Sequence, residues 1–142
     1  QAERMLFEKM SSPFAASVGG YLLVLGLNRS AYLSKANDWK NWVENLDHWF
    51  EWMPDGAILH AALYFILGDG DRDDAYDALL RAYSRGLPFF TFGLKLMIDG
   101  MRYFANEGMA EAKEFLPQLE SIVMQADPSQ PFLCVDFSRK WQ

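Results

Sequence analysis

Residues 68–82 read GDGDRDDAYDALLRA, a cluster of aspartates followed by a run of small and large apolar residues. Asp69, Asp71 and Asp73 occupy the first three acidic places of a calcium-binding helix-loop-helix. The sixth place, however, holds Asp74 where that loop needs glycine, and the twelfth holds Leu80 where it needs a bidentate carboxylate. A helix beginning at Asp71 explains the same acids. Asp71 serves as the cap that accepts backbone donors, while Asp73 and Asp74 sit at the positive end of the helix, worth roughly 0.3–1 kcal/mol each. Asp77 is placed to pair with Arg81 four residues on. Ala75, Ala78, Leu79 and Ala82 then share one face, and their small size predicts a second helix lying close against them.

Outward from this helix, expected over residues 71–85, the chain reads as further helices. Upstream, Met53-Pro54-Asp55-Gly56 is a break, with Asp55 as the expected cap of a charge-free helix reaching about residue 67. Before it, Trp39, Trp42, Val43, Leu46, Phe50 and Met53 recur every three or four residues, so a helix capped by Asn37 or Asp38 buries that stripe. Earlier helices are expected over residues 2–10 and from Pro13 to about residue 27, with Gly19 and Gly20 as a point of close helix approach. Downstream, Gly86 stands where a left-handed cap belongs, and Pro88 fits the first turn of a helix reaching about residue 105. On that helix Asp99 reaches Lys95 and Arg102, while Gly93 and Gly100 share a side with Met97 and Phe104; we expect it to be the central helix. A last helix over about residues 109–126 contains Pro117, and residues 132–137 form an extended tail docked on the helices.

The composition fits this picture. Of 142 residues, 51% are hydrophobic, 15% aromatic and 23% charged, which is enough apolar material for a packed core and excludes a disordered chain. A net charge of -6 with scattered basic residues disfavours a phosphate-binding surface, so nucleic acid is not an expected partner. The uncharged run over residues 10–28 is diluted by Ser11, Ser12, Pro13, Ser17, Gly19 and Gly20, so no membrane segment is expected. One cysteine, Cys134, excludes an internal disulfide and suits the cytoplasm. Because the chain opens on Gln1, we expect a single helical domain, residues 1–142, excised from a longer protein.

Pro54 and Pro88 lie 34 residues apart, which is the period of a tetratricopeptide repeat. Gly70-Asp71, then Ala75, Leu79 and Ala82, then Pro88, resembles the second half of such a repeat, with the proline one place late. Residues 55–67 carry Leu59 and Leu63 where the family has a tryptophan and a glycine. Trp42, Leu46, Trp49 and Pro54 fall in the same frame one period earlier. The resemblance implies an all-α fold of six to seven helices in antiparallel pairs, a short and degenerate tetratricopeptide-like solenoid ending in the extended tail. It also implies binding of other proteins or domains, and it brings no catalytic residue.

Candidates for chemistry are few. His48 and His60 fall on different helices and in no zinc signature, although His48 shares its helix with Glu44 and Glu51. Cys134 sits among apolar residues that would quiet it, so we expect it to pack. No phosphate loop, nucleophile elbow or dinucleotide fingerprint occurs, and neither a cofactor nor catalysis is expected. The aromatic surplus points elsewhere. At 100° per residue Trp52 leaves the core face of its helix and Trp49 lies at its edge. Tryptophan, tyrosine and arginine anchor interfaces, so Trp49, Trp52, Tyr76, Tyr83, Arg81 and Arg85 form the expected face for a protein, a peptide or a neighbouring domain. The alternatives are a small-ligand or enzymatic pocket near His48 or His60, and a structural accessory domain of a larger protein.

Overall fold

The computed structural model describes residues 1–8, 11–25, 36–68 and 70–136. Within them the chain is all-helical, in the order α1 (Ala2–Phe7), α2 (Pro13–Leu25), α3 (Ala36–Trp49), α4 (Pro54–Leu67), α5 (Arg72–Arg85), α6 (Thr91–Asn106) and α7 (Ala110–Val123). Contacts divide the chain into two compact units, Gln1–Gly86 and Leu87–Gln142.

In the first unit, α1 packs on α2, α3 on α4, and α4 on α5, so neighbours in sequence pair in space. α4 also meets α2, which makes it the central helix of this unit. Ala57, Ile58, Leu59, Ala61, Ala62 and Leu63 are all buried, and each large one contributes roughly 1.5–3 kcal/mol. Its start differs from expectation. Pro54 is the first helical residue and Met53 stands extended before it, at φ -104 and ψ 120. A proline's fixed φ suits the first turn and keeps its predecessor out of the helical region. Asp55 is therefore inside the turn rather than capping it, fully buried, where its Oδ1 accepts from the Tyr21 hydroxyl at 2.6 Å. Burial raises the Tyr21 hydroxyl well above its usual pKa, and the neighbouring Asp55 charge adds to the rise. α4 ends at Gly68, whose φ of 72 is the left-handed cap that spares a side chain the strain.

Around the stretch that opened the reading, Asp71 caps α5, accepting from the Asp73 amide at 2.9 Å. Ala75, Ala78, Leu79 and Ala82 are buried, and α4 lies against α5. α3 begins at Ala36, so Asn37 and Asp38 lie inside its first turn rather than capping it, and Asp69 lies outside the described residues. On α3 the stripe of Trp39, Val43 and Leu46 is buried.

The second unit pairs α6 with α7. Its first helix starts at Thr91, not at Pro88, because the preceding backbone is engaged by the tail. The Leu133 amide donates to the Phe89 carbonyl at 2.9 Å and the Thr91 amide to that of Pro131 at 3.0 Å, while the Phe90 and Phe132 rings stack at 5.2 Å. A second anchor joins Ala126 to Val135, so the tail is held by the backbone just before α6 and just after α7 rather than by the helix faces expected, with Phe137 outside the described residues. Alternation along this extended segment turns Leu133 and Val135 partly inward and Cys134 outward, so the cysteine is exposed rather than packed. Gly93, Met97, Gly100 and Phe104 are buried on one side of α6. On its other side Asp99 lies 3.4 Å from both Lys95 and Arg102, the pairs expected from the spacing. Pro117 sits inside α7. No helix among the described residues is long and apolar enough to cross a membrane.

Candidate functional site

Asp47 follows Leu46 on α3 and lies four residues after Val43, so it belongs to the buried side of the helix despite its charge. It is fully buried. What brings it to α4 is Gly56: a Cβ there would stand 3.0 Å from both the Cα and the amide nitrogen of Asp47, so the two backbones touch where a side chain would hold them apart. One turn further along α4, His60 faces the same carboxylate. On α5, Asp74, Arg81 and Arg85 recur at seven and four residues, which places them along a single face.

The result is a cluster that ties three helices together. His60 Nδ1 lies 2.7 Å from Asp47 Oδ2, and its Nε2 lies 2.8 Å from Asp74 Oδ2. Arg81 Nη2 donates to Asp47 Oδ2 at 2.6 Å, and Arg85 Nη1 donates to Oδ1 at 2.7 Å and to the Met53 carbonyl at 3.3 Å. Burial alone would raise the Asp47 carboxyl, but the hydrogen bonds from His60, Arg81 and Arg85 and the charge of Arg81 outweigh it and hold the group well below the carboxylate range. Burial likewise pulls His60 down, yet its bond to Asp47 and the charges of Asp74 and Asp47 prevail and raise it above 6.5. A carboxylate oxygen at each ring nitrogen favours the charged form, in which both N–H groups can donate. Both ring nitrogens and both carboxylate oxygens of Asp47 are engaged across α3, α4 and α5, so the arrangement works as a clamp. A shallow cleft opens beside it, where Lys40, Tyr64, Asp71 and Asp74 surround the edge of His60.

The residues expected at an interface separate into two sets. Trp49 and Trp52, at the end of α3 and in the turn before α4, are each 54% exposed, and the Trp52 ring meets that of Phe14 at 5.8 Å. Tyr83 is half-buried. Tyr76 is in the core at 6% exposure. Arg81 and Arg85 turn inward to Asp47, the latter with only 9% of its side chain exposed. The pairing of Arg81 with Asp77 foreseen from their spacing thus gives way to a stronger, buried carboxylate. His48 is exposed, its ring 5.9 Å from that of His60, and Glu44 lies 3.8 Å from Lys40. No group of three or more metal-ligating side chains occurs among the described residues. Asp47 itself escaped the reading of the sequence, although a carboxylate inside an apolar stripe, in register with Trp39 and Val43, was the signal that marks it.

A scan against protein-family models matches residues 1–136 to the Y4kD C-terminal domain. Neither the curated proteins nor the solved structures give a match.

Proposed function

The chain belongs to the Y4kD C-terminal domain family, and from its exposed aromatic corner we propose that it is a non-catalytic interaction module of tetratricopeptide-like helical hairpins. It binds a protein, a peptide or a neighbouring domain through Trp49 and Trp52. The observation that carries this reading is their shared 54% exposure at one corner of the fold. Large aromatics are on average well buried, and those left in solvent are the residues that dominate binding energy once covered. The paired helices α3–α4 and α4–α5, with alanines at the α4–α5 contact, support the repeat-like reading. The clamp at Asp47 ties α3 to α4 and α5 two residues before Trp49, so the corner is presented by a rigid scaffold. A single, exposed cysteine suits a cytoplasmic setting.

A photo-crosslinking residue placed at 49 or 52 should give discrete crosslinked polypeptides in cells that produce the chain natively, and one placed at the exposed Lys113 should not. The same pattern at all three positions would count against the corner. A second reading, a small-ligand site, draws on the cleft beside His60. It predicts amide shifts confined to Lys40, Tyr64 and Gly70 in an NMR fragment screen.

A further inference from the structure

Resting on the interaction reading, we propose that the partner of the aromatic corner is a basic polypeptide segment, with an arginine or lysine side chain against Trp49 and Trp52 and its charge facing Glu51. The backbone sets this up. The Met53 amide donates to the Phe50 carbonyl at 3.0 Å, which closes a tight turn with Glu51 and Trp52 at its two central positions. Trp49, Glu51 and Trp52 are consequently exposed within four residues of chain. Indole faces carry negative potential and attract cations, and a carboxylate beside them adds a full charge.

Three cations of α3 and α5 have acidic partners of their own. Arg81 and Arg85 are bound to Asp47, and Lys40 lies beside Glu44. Among the described residues no cation pairs with Glu51. The wider field has the same sign, because residues 1–86 hold twelve acids against eight bases, which steers a basic segment in and repels phosphate. Other occupants fit less well. A purely apolar segment covering both indoles would leave Glu51 desolvated and unpaired, at a cost that exceeds what a small apolar contact returns. A second copy docking through the same patch about a two-fold axis would set Glu51 against its own equivalent.

The test is to pan a displayed library of random dodecapeptides on the intact chain, counter-selecting on the Trp49→Ala/Trp52→Ala variant, and to measure recovered peptides by fluorescence anisotropy. We expect enrichment of lysine and arginine. Glu51→Lys should weaken the recovered peptides more than tenfold, and each tryptophan-to-alanine change about two- to fivefold. Trp52→Phe should retain binding that Trp52→Leu loses, which separates a cation on a ring from simple packing. Circular dichroism identifies any variant that fails to fold, and Glu51→Lys, on an exposed turn, leaves the core untouched. Apolar consensus peptides, or basic ones indifferent to Glu51→Lys, would overturn the basic partner while leaving the interaction module standing. Recovery of no peptide that depends on Trp49 or Trp52 would overturn both.

Discussion

Asp47 accepts from His60, Arg81 and Arg85 with no exposure of its own. Removing one partner of a buried ion pair leaves the others uncompensated in a poor solvent for charge. Asp47→Ala should accordingly lower the unfolding free energy by about 3–5 kcal/mol, read from urea denaturation at neutral pH. The two titrating members act at opposite ends of the pH scale. His60 has a folded pKa raised above 6.5, so its contribution is complete below that value and is lost as the pH rises through the folded pKa. Asp47, lowered from 3.8, contributes fully above that value and loses its contribution as the pH falls toward and through the folded pKa. The difference in urea midpoint between the parent chain and His60→Gln should therefore shrink as the pH rises above 6.5, and a difference that grows with pH would exclude a charged His60. His60 was visible in the sequence as one of two histidines, but its partners were not. Helical spacing tells which residues share a face of one helix, whereas Asp47, His60 and Arg81 meet across three.

Between elements, the sharpest contact is α3 against α4 at Gly56. Every near neighbour of an added Cβ there is backbone, 3.0–3.1 Å away in Leu46 and Asp47, so Gly56→Ala must push the two helices apart. Overpacking of this kind costs about 1–3 kcal/mol. Gly20 offers a contrast. Its added Cβ would meet Leu59 Cδ1 at 2.6 Å, the end of a side chain that can turn away, and alanine returns about 1 kcal/mol of helix propensity. Thermal melts should show a clear drop for Gly56→Ala and little change for Gly20→Ala; equal effects would mean that α3 and α4 are not in backbone contact. The helices themselves were legible from apolar periodicity and from caps such as Asp71. The start of α6 was not, because the hydrogen bonds that keep Phe89 and Phe90 extended come from Pro131 and Leu133, some forty residues away. Pro54 and Pro88 look alike in sequence; only the first opens a helix, because at the second the tail engages the residues that follow it.

At the scale of the molecule, Gln1–Gly86 and Leu87–Gln142 are separately compact, a division that Gly86-Leu87-Pro88 does not distinguish from an ordinary joint between helices. All five members of the clamp lie in the first unit. Residues 1–86 expressed alone should then keep their helical signal and a cooperative urea transition, and a broad, non-cooperative one would show that the first unit needs the second. The clamp also limits how this sequence can drift. An isolated exchange at Asp47 strands two guanidinium groups and the His60 ring, and an exchange of Arg81 or Arg85 alone weakens what holds the acid in place. Yet a well-packed apolar set in the same volume is a stable alternative to a buried ion cluster. The path between these two solutions passes through variants worse than either, so the side chains around Asp47 should be inherited, or abandoned, together.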